Sequence, residues 1–132
     1  MGSSQILLMA WIVVILVFFS IISKNIKTRK ENITYVKAND FYALKNKHQL
    51  IDVRSKEKFN ESHILGARNV TISQIKNGAD KKFFPNKPIY IYCNSGHTAK
   101  KAANILVKNN FANIVVMNDK FTNYPTKNIT KK

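Results

Sequence analysis

No charged side chain occurs in residues 1–23, and within that stretch residues 6–19 form an unbroken apolar run, ILLMAWIVVILVFF. Ser20 interrupts the run and Ile21 and Ile22 extend it, so residues 6–22 make a helix of roughly 26 Å, the short end of what crosses a bilayer core. Without a periodic polar face the segment does not read as an amphipathic surface helix. A buried core helix is disfavoured because the rest of the chain is small. A cleaved signal peptide needs a basic leading region and small residues before the cleavage point, and neither Met1-Gly2-Ser3-Ser4-Gln5 nor the stretch around Ser20 supplies them. N-myristoylation after Gly2 would require Ser or Thr at position 6, which is Ile6. The expectation is an uncleaved anchor.

Orientation follows from the flanks. Lys24, Lys27, Arg29 and Lys30 follow the run and no basic side chain precedes it. Basic flanks stay cytoplasmic, so the expected arrangement is a single pass through the inner membrane, N-terminus outside, residues 24–132 in the cytoplasm. All of the net +15, from 22 Lys and Arg against 7 Asp and Glu, therefore belongs to the second part of the chain. Spread along that part, it reads as drift toward Lys, with attraction to an anionic membrane surface as a side effect. Nucleic acid is not expected as a partner. The single cysteine, Cys93, excludes an internal disulfide and a zinc site built on several cysteines, so no metal is expected.

The domain boundaries expected from composition are an apolar helix at 1–23, a basic polar linker at 24–32, a folded domain at 33–122 and a basic tail at 123–132, which looks frayed. Residues 33–36, 49–53, 67–70, 89–92 and 114–117 have β-branched and aromatic content suited to short strands. Helical patterns fall at 39–44 with Asn39 as cap, at 56–60, from 72, and at 98–110, where Ala102, Ala103, Leu106 and Val107 share one face. Alternating strands and helices imply an α/β domain with a mostly parallel sheet covered on both faces.

The junction after the fourth strand carries the chemistry. There Tyr92-Cys93-Asn94-Ser95-Gly96-His97-Thr98 leads from a strand into a helix. Ligands of open α/β sheets bind outside the carboxyl ends of the strands. A loop turning into a helix N-terminus aims several N–H groups at one point, and Gly96 supplies the backbone angles a tight cradle needs. A sulfur held there gains hydrogen bonds when it is charged. Read from these residues alone, Cys93 is equally well a reactive thiol or an inert buried one.

Three segments in order, Leu50-Ile-Asp-Val-Arg54, Phe59-Asn-Glu-Ser-His63-Ile-Leu-Gly-Ala-Arg-Asn-Val70 and Tyr92-Cys93-Asn-Ser-Gly96, resemble the rhodanese family over about residues 33–118. The resemblance implies a three-layer domain with a central five-stranded parallel sheet, here preceded by one transmembrane helix. It also implies a bacterial membrane-anchored type. Cys93 would be the sulfur carrier, with Asn94, Ser95, Gly96, His97 and Thr98 forming the anion-binding loop. Asp52 and Arg54 would support the loop, or simply pair at a strand end. Gly66, Ala67 and His63 would serve packing and a turn. No cofactor is implied; the partners would be a sulfur donor, such as thiosulfate or a persulfide, and a thiol or cyanide acceptor.

The sequence departs from the family at two places. Many members carry Arg in the loop where Thr98 stands, and Ser where Ala99 stands. Thr offers no guanidinium fork, so His97, Lys100 and Lys101 are candidates for the lost positive charge. After the last strand, Asn118-Asp119-Lys120-Phe121 replaces the usual Gly-Gly region and leaves a C-terminal helix in doubt. The expected function is a membrane-anchored sulfurtransferase holding sulfane sulfur as a Cys93 persulfide. The alternative is a weak or inactive module of the same fold that binds a protein at the membrane. A phosphatase of related architecture would need Arg at position 99, which is Ala99.

Overall fold

The computed structural model describes residues 2–131, and only the backbone of 25–31. The side chains of Lys27, Arg29 and Lys30, which carry the orientation argument, lie outside it. The chain forms two compact units, residues 1–31 and 32–132.

The first unit is one helix, α1 (Gly2–Glu31). Its part Gly2–Lys24 is long and apolar enough to cross a membrane, and its side chains from Ile6 to Phe19 are exposed in the isolated chain. One apolar helix able to span a bilayer is thus present. Along the stretch expected as a linker, 24–32, the helical backbone continues to Glu31.

The second unit is built on strands β1 (Ile33–Val36), β2 (Gln49–Asp52), β3 (Ser62–Ile64), β4 (Arg68–Asn69), β5 (Ile89–Tyr92), β6 (Ile114–Met117) and β7 (Ile129–Lys131). Five of them form one sheet in the order β1-β6-β5-β2-β4, every neighbouring pair parallel. β5 lies at its centre, and its residues Ile89–Tyr92 are all buried, as expected of a strand covered on both faces.

Alternation along β5 divides the core. Ile89, Ile91 and then Cys93 face helices α4 (Ile72–Lys76) and α5 (His97–Lys108), while Tyr90 and Tyr92 face α2 (Ala38–Ala43) and the turn at Phe121–Asn123. On α5 the buried residues are Ala99, Ala102, Ala103, Leu106 and Val107, one apolar stripe at helical spacing. Three of the five are alanines at the start of the helix, so its first turns approach the sheet closely, next to Cys93.

Short local devices fix the connections. Ser55 caps α3 (Lys56–Glu61) by accepting from the Lys58 amide, and Thr71 and Gln74 form a reciprocal capping box on α4. The expected cap Asn39 on α2 is corrected. The helix starts at Ala38, whose N–H is taken at 3.0 Å by Asp119 Oδ2 from the other end of the domain. His63 stacks on Phe59 with ring centroids 3.9 Å apart and an 11° interplanar angle, and its Nδ1 donates to the Phe59 carbonyl at 2.8 Å.

The frayed tail is also corrected. Phe121–Asn123 and Thr126–Asn128 are 3₁₀ turns in place of a C-terminal helix, and Tyr124 is buried between them. β7 then pairs antiparallel with β3, Ser62 opposite Lys131 and Ile64 opposite Ile129. Alternation of apolar residues across only three positions carries too little signal to mark either strand in advance.

Candidate active site

β2, β5 and β6 all end on one edge of the sheet, and Cys93 follows the central one. Its side chain is 2 % exposed, and Sγ accepts N–H hydrogen bonds from Gly96 at 3.0 Å and Ala99 at 3.3 Å. Among residues 94–98 only the Gly96 amide bonds to Sγ in the described geometry, and the second donor lies one residue further on, at Ala99. Two fixed N–H dipoles stabilise a negative sulfur more than a neutral one.

Gly96 makes this geometry possible. Its φ is +91°, and a Cβ there would sit 3.1 Å from Asn118 Cα and 3.3 Å from the Met117 carbonyl oxygen. The loop is therefore pressed against the end of β6, and only glycine fits both the angle and the space.

The same loop is braced from the other face of the sheet. The Phe121 N–H donates to the Asn94 carbonyl at 2.9 Å. The Phe121 ring stacks on Tyr92, with centroids 5.6 Å apart, and seats the Arg54 guanidinium. The Asp119 carboxyl, which takes N–H groups from Ala38 and Lys120 and the Asn123 amide, is held below its ordinary range by those bonds.

Asp52 and Arg54 form a buried ion pair at 2.7 Å. Arg54 Nε reaches both carboxylate oxygens at 3.0 Å, and Nη2 also donates to the Ser62 carbonyl at 2.6 Å. Burial opposes the guanidinium charge, but bonding to and attraction from Asp52 outweigh it and hold Arg54 above its ordinary pKa. The Tyr92 phenol is pushed up by burial and by the neighbouring Asp52 charge; its oxygen accepts from the Ile64 N–H at 3.0 Å. Asn69 Nδ2 donates to the carbonyls of Asp52 and Arg54, tying β4 to the same corner.

A cleft of about 280 Å³ opens over the sulfur, lined by Val53, Arg54, Ser55, Lys58, Cys93, Asn94 and Thr98. Of the expected site residues, Cys93, Asn94, Thr98 and Arg54 line it. Gly96 is buried beneath it, and Asp52 stands behind Arg54. Ser95 and His97 are exposed and lie outside the cleft lining. Lys100, a candidate for the missing loop charge, instead sits over Tyr35 at 5.6 Å. Beside Arg54, whose charge is paired with Asp52, the cleft lining holds a second cation, Lys58, on α3. Sequence reasoning did not select Lys58, nor Val53, Ser55 and Phe121. Nothing in the spacing separates Lys58 from the other lysines on helix surfaces.

The model for the Rhodanese-like domain matches residues 37–126. The Bacillus subtilis (strain 168) protein YqhL, itself uncharacterized, is 38% identical over 93 residues, 70% of this chain and 73% of its own length. The likewise uncharacterized YibN of Escherichia coli (strain K12) is 27% identical over 132 residues, covering 97% of this chain and 90% of its own length. A crystal structure of a rhodanese-like domain protein from Staphylococcus aureus superposes with a TM-score of 0.63 at 19% identity, over 75% of this chain and 98% of that one.

Proposed function

The chain belongs to the rhodanese-like domain family, and from that premise we propose that it is a sulfurtransferase whose Cys93 carries sulfane sulfur as a persulfide. The observation that carries this reading is the pair of amides, Gly96 N–H and Ala99 N–H, aimed at Sγ beneath an open cleft. A structural cysteine needs neither.

The chemistry is nucleophilic displacement at sulfur. The Cys93 thiolate attacks the outer sulfur of the donor and forms a new S–S bond. The donor's own bond to that sulfur breaks, and sulfite or a thiolate leaves with the electron pair. The acceptor, a thiolate or cyanide, then attacks the terminal sulfur and returns Cys93 as thiolate. No net oxidation occurs. The amide pair holds the negative sulfur through both steps, as preorganised dipoles hold an oxyanion. Lys58 supplies positive potential at the cleft wall for an anionic donor or leaving group. Thr98 supplies only a hydroxyl where a charge would draw thiosulfate. That substitution favours a persulfide over thiosulfate as the working donor. It is also the observation behind a second reading, a weakly active module that binds a protein partner.

In the same reading Gly2–Lys24, apolar and long enough to cross a bilayer, is an anchor in the inner membrane, and the basic flank after it supports a cytoplasmic catalytic unit.

The test is the intact mass of the detergent-purified full chain after exposure to thiosulfate and, separately, to a persulfide donor. Cys93 is the sole thiol, so one reductant-labile added sulfur has one place to sit. Gain from either donor supports the transferase, and gain from the persulfide alone identifies the donor class. A folded chain that gains sulfur from neither is the binding module.

A further inference from the structure

In a sheet whose strands all run parallel, every strand begins on one edge and ends on the other. The Cys93 cleft occupies the finishing edge, and the opposite one has a different chemistry. The segments leading into β2, β5 and β6 lie there. Residues 44–48, 77–88 and 108–113 contain Lys45, Lys47, Lys81, Lys82, Lys87 and Lys108, against one carboxylate, Asp80. Asp80 is 7% exposed and accepts from Asn109 Nδ2 at 2.9 Å, so it does not offset that charge at the surface. The unit's other carboxylates, Asp40, Asp52, Glu57, Glu61 and Asp119, fall outside these segments.

One aromatic ring stands among these lysines. Phe83 is buried against Phe111, but the next residue, Phe84, is 59% exposed, with Lys87 Nζ 5.0 Å from its ring centroid. The loop that presents it is built, not loose. The buried Gln49 accepts from the Phe84 N–H at 2.7 Å and donates to the carbonyls of Phe84 and Lys87. The fold thus fixes an outward Phe between Lys81-Lys82 and Lys87. An exposed large apolar ring within a basic ledge matches the boundary of an anionic bilayer, where the ring enters the acyl edge and the lysines meet headgroups. The chain also enters this unit on the same edge, through Asn32, whose carbonyl accepts from Ile114 N–H. A covalent tether to a membrane helix holds such a ledge near lipid at high effective concentration.

We propose that the ledge formed by Lys81, Lys82, Phe84 and Lys87 docks on the anionic headgroups of the membrane that holds α1 and leaves the Cys93 edge free for its partners. The docking rests on the anchoring reading, not on sulfur transfer.

The experiment uses the full chain reconstituted in lipid nanodiscs of phosphatidylcholine alone, or with phosphatidylglycerol added, and reads amide hydrogen exchange. Exchange of the 81–87 amides should slow by about fivefold or more in the phosphatidylglycerol disc, a scale set by one lysine near an anionic surface. The protection should fade with added salt, and in both Phe84→Ser and the triple variant Lys81→Gln/Lys82→Gln/Lys87→Gln, while exchange at the Cys93 loop stays unchanged. Equal exchange in the two discs overturns the proposal, as does protection that survives the triple variant. Protection by polyglutamate but not by phosphatidylglycerol also overturns it, and assigns the ledge to an acidic protein. A chain that elutes free of both discs defeats the anchor and the docking together, whereas one held in both without protection defeats the docking alone.

Discussion

The guanidinium carbon of Arg54 lies 4.1 Å from the centroid of the Phe121 ring. Through this contact the turn after the last strand is joined to the ion pair at the end of β2. Through the Phe121 N–H bond to the Asn94 carbonyl the same residue is joined to the cysteine loop. Phe121→Leu keeps most of the volume but loses the aromatic seat, and should cost about 1–2 kcal/mol in urea unfolding. Phe121→Trp retains a face for the cation and should recover most of the iodoacetamide reactivity of Cys93 that Leu loses. Equal thiol reactivity in all three proteins would show that the ring packs without positioning the loop.

Asp52 and Arg54 are each at most 8% exposed. Removing one partner leaves a buried charge unpaired, so Asp52→Ala should destabilise the domain by about 3–5 kcal/mol. The measurement is the midpoint of chemical denaturation. A loss below about 1 kcal/mol, the worth of a surface pair, would mean that water reaches Arg54 in solution.

Gly96→Ala forces a side chain into a left-handed backbone position and toward the Asn118 backbone. The expected cost is about 1–3 kcal/mol. The loop must shift to relieve the contact, and Sγ then loses the Gly96 donor. Persulfide loading should therefore fall in protein that circular dichroism shows to be folded. Full loading at wild-type rate would disconnect the amide from the chemistry.

The sequence made the centre of this molecule readable and its margins hard to read. Ile89–Tyr92, Cys93 and the alanine stripe of α5 announce themselves because strand burial, a glycine loop and helical spacing are local signals. The five-stranded sheet followed from their alternation together with the family resemblance. What escaped was long-range. Asp119 caps α2 from 81 positions away. β3 and β7 meet across more than sixty residues as three-residue strands, too short to show a period. The loop charge was sought on His97, Lys100 and Lys101, next to Cys93 in sequence. Lys58 reaches the cleft through the fold, since β2 and β5 are neighbours in the sheet.

Tyr92 gives the domain a pH dependence on the alkaline side. Its phenol is raised by burial and by the Asp52 charge, so the neutral form belongs to the folded state. Below about pH 10 the phenol is neutral in both states and its contribution is complete. Above that, the unfolded phenol ionises first and the contribution is lost as pH rises. Tyr92→Phe removes the acceptor for the Ile64 N–H and should cost about 1–2 kcal/mol at neutral pH. The gap between wild type and variant should narrow through the alkaline limb, as followed by denaturation midpoints. Parallel curves would place the alkaline sensitivity elsewhere.

Lys58 lines the cleft, yet its side chain is 57% exposed and its only described ion pair, to Glu61, is long at 3.8 Å. A charge so placed is free to meet an incoming anion but is partly screened by water. Lys58→Gln should therefore raise KM for thiosulfate by about three- to tenfold, the size of one partly exposed charge contact, and leave kcat within about twofold. A persulfide donor without other charge should be affected less, because the amides of Gly96 and Ala99 handle the sulfur itself. Raising the salt concentration should reproduce part of the effect in wild type and little in the variant. If Lys58→Gln lowers kcat equally for both donors, the lysine acts on the transition state rather than on donor capture, and the anion-steering role assigned to it is wrong.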